Sequence, residues 1–279
     1  MKIPFKKMHG LGNDFIIFDG RDSKSVPCIE HIAALSNRKT GIGCDQIGVI
    51  LDPQDDASDC FMKIYNAPDG NEVGACGNMT RCVAWLMMEE LGKNEVTIQT
   101  IADHLHCTRE KDTDTKVTVN FGLPKMGWQD IPLAKEMDTL HIDLAEGNIK
   151  DPVAVNVGNP HLVFFVENCE NIDVQTYGPR FEADPLLPQK ANIEFATILD
   201  RKTIRLRVWE RDTGETQACG SAAFATHIAA VKRGLTSRKT NIILDGGILE
   251  FNWPDDTSPC TMTGDTALVF EGIIHIHDT

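Results

Sequence analysis

The sequence predicts a mixed α/β (α+β) fold of two pseudo-symmetric domains, each a mostly antiparallel curved sheet around a central helix, with the functional site in the cleft between them. The first observation is a repeat, because Ala-Cys-Gly occurs at residues 75–77 and again at 218–220. Each copy also has acids at the same distances upstream and an apolar helical run downstream. Most other apolar segments read as strands, which favours layered sheets and helices over a helical bundle.

In the first half, apolar alternation and turn residues predict the elements in order. Strands are predicted at 3–8, 14–18, 46–51, 61–65, 96–101 and 116–121, with a short helix over 29–37. A turn-like segment at 10–13 separates the first two strands. The long helix is predicted to begin after Cys76 and to end near Gly92, since glycine is a common helix stop signal.

The second half repeats this order. Its strands are predicted at 153–157, 162–166, 204–209, 241–253 and 259–263, and its long helix between Cys219 and Gly234. A final strand over 267–277 has no counterpart in the first half and is expected to return to the N-terminal domain. The predicted domains are therefore residues 1–121, with 265–279 returning to it, and residues 122–264.

Composition excludes several classes of protein. The net charge of −14 without a basic run repels phosphate backbones, so no nucleic acid partner is expected. The N-terminal residues lack the apolar core of a signal peptide, and no window approaches ~18 uninterrupted apolar residues, so no membrane association is expected. Nine cysteines, an odd number without a Cys-x-x-Cys pair, indicate free thiols in the reducing cytoplasm.

The two repeated cysteines are the strongest candidates for chemistry. A thiol at a helix N-terminus meets unpaired N–H groups and the positive end of the helix dipole, which favours its thiolate. The adjacent Gly77 and Gly220 let a ligand approach the backbone closely. Lone cysteines are usually buried packing residues, but that interpretation does not explain Cys76 and Cys219, which occupy equivalent places. Two such thiols suit a reaction that needs a base on one side of a carbon and an acid on the other.

Further polar residues cluster at corresponding strand ends. Asparagines in such positions are usually turn formers that satisfy their own backbone. Arg211 follows an apolar strand directly, where its guanidinium can hold a carboxylate through two hydrogen bonds. Glu210 beside it can bind an ammonium group. The set consists of Asn13, Asn66, Asn159, Asn192, Glu210 and Arg211.

Four motifs together resemble the diaminopimelate epimerase family, and in order they cover nearly the whole chain. They are KMHGLGNDF at 7–15, YNA at 65–67 with CGNMTRC at 76–82, GNPH at 158–161, and VWERDTGETQACG at 208–220. The resemblance implies an isomerase that interconverts LL- and meso-2,6-diaminopimelate without any cofactor or metal. It also implies a place in lysine and peptidoglycan precursor biosynthesis, and a homodimer with the late strand around Phe270 at the contact.

The resemblance also implies the roles of individual residues. Its proton-transfer pair falls on Cys76 and Cys219, with Cys219 as acceptor and Cys76 as donor. Backbone N–H groups at the two helix starts would hold the reacting carboxylate, and His161 with Glu210 would tune the pKa of the thiols. The implied substrate-binding residues are Asn13, Gln46, Asn66, Gly77, Asn78, Asn159, Asn192, Glu210, Arg211, Gly220 and Ser221.

The chain departs from the family pattern at the start of its first long helix and before it. Met79 stands where the family usually has a small residue. The loop from Asn66 to Cys76 is one residue longer than usual, with Pro68 as the insertion. Ser221 replaces a more usual threonine but keeps the hydroxyl.

Two other functions remain open from the residues alone. One is another cofactor-free racemase of the same architecture, similar to proline racemase, although Arg211 and Glu210 favour a substrate with a second charged end. The other is a non-catalytic thiol redox or metal-binding protein. Its candidate metal ligands are His104, His106, Cys107, His275 and His277. Alternation places each histidine pair on one strand face, which is commoner on plain solvated strands, so no metal is expected.

Overall fold

The computed structural model describes residues 2–22 and 26–276, and the chain divides into two compact units. The first unit runs to residue 120 and also takes in the chain from residue 264 onward, while the second comprises 121–263. Within the described ranges, no helix is both long and apolar enough to cross a membrane.

Strands outnumber helices in both units. The first part of the chain forms β1 (Lys2–Gly10), β2 (Asn13–Asp19), α1 (Ile32–Ser36), β3 (Gln46–Leu51), β4 (Cys60–Asn66), β5 (Glu72–Val73), α2 (Gly77–Leu91), β6 (Glu95–Gln99), β7 (His104–Arg109) and β8 (Lys116–Asn120). The remainder forms β9 (Ala145–Glu146), β10 (Ile149–Lys150), β11 (Val153–Asn156), β12 (Pro160–Phe165), α3 (Val174–Glu182), β13 (Asn192–Asp200), β14 (Thr203–Glu210), β15 (Gly214–Thr216), α4 (Gly220–Lys232), β16 (Lys239–Leu244), β17 (Gly247–Asn252), β18 (Thr261–Asp265) and β19 (Ala267–His275). The predicted mixed α+β class is confirmed.

The strands of the two units pair in the same order and with the same relative directions. In the first, β1–β2, β3–β4, β4–β5, β6–β7 and β7–β8 are antiparallel, while β2–β3 and β4–β6 are parallel. In the second, β11–β12, β13–β14, β14–β15, β16–β17 and β17–β18 are antiparallel, while β12–β13 and β14–β16 are parallel. Each strand from β1 to β8 therefore has an equivalent from β11 to β18. The additional strand β19 pairs antiparallel with β1.

Both predicted long helices are present, and both are buried over most of their surface. α2 ends before Gly92, which adopts the left-handed conformation with φ of 64° and donates its N–H to the Met88 carbonyl. α4 ends at Lys232, and Gly234 shortly after it has φ of 68°. A glycine at each point satisfies the last carbonyls without the steric penalty of a side chain.

The sequence prediction missed α3 and β13. Pro179 lies inside α3, and proline normally indicates a helix break. Its neighbour Gly178 is required by packing, because an added Cβ would lie 2.5 Å from the Trp209 ring. In β13, the polar residues Asn192 and Glu194 are buried, so the strand lacks the usual alternation of apolar and polar residues.

Two predicted boundaries also differ. The helix expected over 29–37 is a single 3-10 turn at Ile29–His31 followed by the five-residue α1. Ile29 is 59% exposed, so it does not belong to the buried face that its position in the sequence suggested. The final strand ends at His275, and His277 lies outside the described residues.

Met79 on α2 fills the space above Gly48 on β3. A Cβ added to Gly48 would lie 2.7 Å from the Met79 sulfur, far inside normal contact. Met79 itself is completely buried. A methionine at this position is therefore accommodated by a glycine on the facing strand.

We expect Gly48→Ala to lower the free energy of unfolding by about 1–3 kcal/mol, because the new methyl group would overlap the Met79 sulfur. In a Met79→Ala background that overlap is absent, so Gly48→Ala should lower the free energy of unfolding by less than it does in the wild type. Urea unfolding of the wild type, both single variants and the double variant measures this coupling. Equal effects of Gly48→Ala in the two backgrounds would contradict the packing.

Candidate active site

Cys76 is the residue immediately before α2. Its backbone is extended, with φ of −149° and ψ of 107°, and its side chain does not cap the helix. Helical geometry leaves the first N–H groups of α2, which begin at Gly77 and Asn78, without intrahelical partners. The half-buried thiol instead lies 3.8 Å from Asn13 Oδ1, which accepts its hydrogen bond.

Asn13 is the centre of a hydrogen-bond network in the first unit. Its Oδ1 also accepts from Asn78 Nδ2 at 3.2 Å, and its own Nδ2 donates to Asp45 Oδ2 at 3.0 Å. Asp45 is held in turn by Arg38 Nη2 at 2.7 Å. The structure thus brings together the predicted residues Asn13, Cys76 and Asn78. The sequence interpretation missed Arg38 and Asp45, although Asp45 directly precedes the candidate Gln46.

A second predicted pair lies at neighbouring strand ends of the first unit. Gln46 begins β3 and Asn66 ends β4, and they are directly paired across the two strands. Gln46 Nε2 donates to Asn66 Oδ1 at 2.8 Å. The Gln46 Oε1 atom is buried and has no hydrogen-bond partner among the described residues. An unpaired buried acceptor of this kind suits a donor on a ligand, such as an ammonium group.

A buried arginine supports this half of the site. Arg81 is completely buried on α2, and its Nη2 donates to Asn78 Oδ1 at 2.9 Å. Burial lowers the pKa of Arg81, while the thiols of Cys82 and Cys76 act in the opposite direction. Arg81 therefore fixes the orientation of the Asn78 amide and places positive potential near the Cys76 thiol. The family resemblance of the sequence does not imply this supporting role for Arg81.

Cys219 occupies the equivalent place before α4. Its backbone is extended, its side chain is buried, and its Sγ lies 3.4 Å from the Ser221 hydroxyl. Burial raises the pKa of Cys219 well above 9.0, and the Glu210 carboxylate adds to this effect. The Ser221 hydroxyl and the Ala222 N–H lower that pKa, but by less. The pKa of Cys219 is therefore shifted in the direction opposite to the one that a helix start favours.

The polar residues of the second unit lie at the ends of β12, β13 and β14. Asn192 begins β13, donates to the Pro160 carbonyl at 3.0 Å and accepts from the Arg211 backbone N–H at 3.0 Å. The Arg211 side chain donates to the Gln189 carbonyl at 3.3 Å. Glu210, the last residue of β14, accepts from the Thr216 hydroxyl at 2.5 Å. Asn192 thus positions the backbone of Arg211, which is the candidate carboxylate ligand.

His161 on β12 lies between two partners. Its Nε2 is 2.8 Å from Asn159 Oδ1, and its Nδ1 is 2.6 Å from Glu194 Oε1 on β13. His161 and Glu194 are both completely buried. The sequence interpretation selected Asn159 and His161 but missed Glu194. A charged residue two positions after Asn192, inside an otherwise apolar segment, was the available signal.

Equivalent strands of the two units carry different chemistry at matching positions. Gln46 pairs with Asn66 in the first unit, and Asn192 and Glu210 occupy the corresponding places in the second. Phe15 pairs with Gln46 on the parallel neighbour strand, as His161 pairs with Asn192. Both units thus present an amide at the central position, Gln46 or Asn192, but the first unit has an aromatic ring and a second amide where the second unit has an imidazole and a carboxylate.

Metal ligation finds no support in the described residues. No group of three or more His, Cys, Asp or Glu side chains is arranged to hold a metal ion within residues 2–22 and 26–276. His104 Nε2 instead lies 2.6 Å from Asp55, and His106 Nε2 lies 3.9 Å from Glu95. The sulfur of Cys107 donates to the Leu105 carbonyl. These residues form surface ion pairs and a local hydrogen bond.

Solved structures with the same fold come from several epimerase-like proteins. A phenazine biosynthesis protein of the PhzF family from Bacillus anthracis superimposes with a TM-score of 0.68 at 16% identity, covering 99% of this chain and 100% of that one. A probable proline racemase from Agrobacterium radiobacter K84 has a TM-score of 0.67 at 15% identity, covering 99% and 93%. At such identities the likeness shows the fold alone.

Sequence relatives are much closer. Diaminopimelate epimerase of Acidiphilium cryptum is 48% identical over 269 residues, covering 96% of this chain and 95% of that protein. The enzyme of the same name from Rhodospirillum centenum is 46% identical over 268 residues, covering 96% and 91%. The protein is therefore an isomerase of the epimerase class. It belongs to the diaminopimelate epimerase family, whose sequence profile matches residues 5–127 and 153–269. The resemblance drawn from the motifs is confirmed.

Proposed function

We propose that this protein interconverts LL- and meso-2,6-diaminopimelate by a cofactor-independent, two-cysteine proton transfer, within lysine and peptidoglycan precursor biosynthesis. The observation that supports this most directly is the repeated arrangement of Cys76 and Cys219, each placed immediately before a buried helix. The amides of Asn13 and Asn78 lie beside Cys76. The two units also carry polar groups that suit an amino acid, including the unpaired Gln46 Oε1 and the Arg211 side chain.

In the proposed mechanism, a thiolate removes the α-proton, so that the C–H bond breaks and an S–H bond forms. The other thiol then gives its proton to the opposite face of the same carbon, which inverts the centre. The N–H groups of Gly77, Asn78, Gly220 and Ser221 stabilise the charge that develops on the α-carboxylate. No net proton is consumed, and reversing the reaction exchanges the two roles.

We assign the resting proton to Cys219. Burial and the Glu210 charge raise the pKa of this thiol, which favours Cys219 as the proton donor in the direction from LL to meso. The first acceptor is then Cys76, whose surroundings include the buried Arg81 guanidinium. This is the reverse of the assignment that the family resemblance implied. In the direction from meso to LL the two roles are exchanged.

Proton NMR of LL-diaminopimelate with reduced protein in D2O tests the proposed function. The expected result is loss of the α-proton signal together with appearance of the meso isomer. Parallel incubation with L-proline tests the alternative substrate class of the proline racemase type. Absence of any exchange with diaminopimelate, in protein that is folded and fully reduced, would refute the proposed activity.

We further propose that the protein forms a homodimer through β19. Leu268, Val269, Phe270 and Ile273 on this strand expose between 39% and 62% of their surface. Several large apolar side chains exposed on one strand commonly mark a protein contact. Phe270 also packs edge-on against Phe5 at 5.9 Å, which fixes its orientation on the strand.

Phe270→Asp is expected to shift the dimer towards monomer, because a carboxylate would be buried in an apolar interface. Sedimentation velocity at several protein concentrations measures the change. The control is Leu199→Asp, which alters an exposed leucine on β13, in the second unit of the chain. Identical sedimentation of wild type and Phe270→Asp would contradict the proposed interface.

A cytoplasmic location is also proposed. All nine cysteines are free, as expected for a protein that stays in a reducing compartment. Immunoblotting of cytoplasmic and periplasmic fractions of the source cells tests this, and recovery in the periplasm would contradict it.

A further inference from the structure

The buried pair of His161 and Glu194 has a hydrogen-bond pattern that restricts where its protons lie. Glu194 Oε1 is 2.6 Å from His161 Nδ1, while Glu194 Oε2 is buried with no hydrogen-bond partner in the described part of the chain. On the other side of the ring, His161 Nε2 is 2.8 Å from Asn159 Oδ1. Because Asn159 presents its Oδ1 to the ring and an amide oxygen only accepts, His161 Nε2 carries a proton and donates a hydrogen bond to Asn159.

Two arrangements of the remaining proton are compatible with these contacts. Either Glu194 is a carboxylic acid that donates to neutral His161, or it is a carboxylate beside an imidazolium. The second places a full carboxylate charge in the interior, where the Oε2 atom has no hydrogen-bond partner among residues 2–22 and 26–276, which is costly. Burial raises the pKa of Glu194, and this outweighs the opposing effects of His161 and the Leu162 N–H. The neutral arrangement is therefore favoured.

Other titratable groups facing Glu194 act in the same direction. Glu210 at the end of β14 raises the pKa of Glu194 through its negative charge. Cys219, before α4, is also within electrostatic range of Glu194. An ionised Glu194 would be repelled by Glu210 and by a Cys219 thiolate. A protonated Glu194 avoids both repulsions.

The equivalent positions of the first unit show that the fold does not require this pair. Phe15 pairs with Gln46 as His161 pairs with Asn192, so Phe15 corresponds to His161. Gly48 lies two residues after Gln46 and Glu194 lies two residues after Asn192, so these two positions also correspond. There the space over Gly48 is filled by the Met79 side chain. One unit thus uses apolar packing at the site where the other buries a carboxyl group. A role in packing alone does not explain Glu194.

We propose that Glu194 is a positioning residue that, as a carboxylic acid, donates a hydrogen bond to His161 Nδ1, holds the ring as its Nε2–H tautomer and thereby fixes the orientation of the Asn159 amide. With its Oδ1 accepting from His161, Asn159 must direct its Nδ2 hydrogens elsewhere, as a donor towards the substrate. This inference rests on the proposed function, because Asn159 is there a substrate ligand. Glu194 itself touches neither substrate nor thiol in this role.

The state of the ring can be measured without substrate. In wild type at pH 7, nitrogen-15 NMR of labelled protein is expected to show His161 neutral, with its proton on Nε2. Glu194→Gln should preserve this tautomer, because the Gln amide also donates to Nδ1. Glu182→Gln is the matched control, since Glu182 is buried in the same unit but binds Trp209 Nε1 and the Asp212 N–H. It should leave the His161 signals unchanged.

Kinetics then separate positioning from charge. Glu194→Gln should retain kcat and KM within about 3-fold of wild type, whereas Glu194→Leu should raise KM by about 10-fold with a smaller effect on kcat. Doubly protonated His161 in wild type, or loss of activity in Glu194→Gln, would overturn the proposal. An unchanged KM in folded Glu194→Leu would do the same. If Glu194→Leu does not fold, wild type and Glu194→Gln still decide the question. Failure of wild type to epimerise diaminopimelate would refute the proposed function, and the NMR result would still test the tautomer.

Discussion

Replacing either Cys76 or Cys219 by alanine is expected to lower the rate of meso-diaminopimelate formation by about 10³-fold or more. Each thiol is the only proton carrier that the proposed mechanism provides for its face of the substrate carbon. Alanine retains the backbone and hence the N–H groups of the following helix turn. The loss should therefore appear mainly in kcat, with KM changed much less.

The matched control is Cys82→Ala, which removes a completely buried thiol from α2. That variant should lose stability but keep kcat within a few-fold of wild type.

Iodoacetamide at pH 7 with peptide mapping tests the assignment of the resting proton. We expect Cys76 to be alkylated before Cys219, because Cys219 is buried and burial with Glu210 raises its pKa. Substantial turnover by Cys76→Ala or Cys219→Ala would remove the two-thiol mechanism from consideration.

The parts of the fold that were predicted from the sequence are those with strong local signals. α2 and α4 each combine an apolar run, a repeated Ala-Cys-Gly start and a glycine stop, so their positions were read correctly. The same repeat identified the two thiols as equivalent. Strands with regular alternation, such as β14, were also located within about one residue.

The parts that were missed depend on contacts that are distant in sequence. Gly178 and Pro179 indicate a break, but the Trp209 ring packs against Gly178 and α3 forms regardless. Glu194 is a single charge in an apolar segment, and the sequence does not show that its hydrogen-bond partner is His161. Local patterns do not report tertiary partners, and buried polar pairs are the residues most affected by that omission. The asymmetry between the two units therefore became visible only in the structure.

Above pH 9 the folded protein is expected to lose stability steeply. Burial raises the pKa of six thiols, and for three of these, Cys44, Cys60 and Cys82, the value reached is about 12. The other three are Cys107, Cys219 and Cys260. In the unfolded chain these thiols ionise near 9.0. The unfolded state therefore releases protons that the folded state retains, so the stability is complete below pH 9 and declines as the pH rises from 9 towards 12.

The size of the effect follows from the number of thiols. Each contributes about 1.4 kcal/mol per pH unit above 9, so six thiols remove roughly 8 kcal/mol by pH 10, which is comparable to the whole stability of a typical domain. Urea unfolding followed by circular dichroism at pH 8, 9 and 10, under reducing conditions, measures this decline. Cys260→Ala should make the free energy of unfolding fall less steeply with pH, because the contribution of one thiol is removed. A free energy of unfolding that stays constant from pH 8 to pH 10 would show that the buried thiols do not couple folding to proton release.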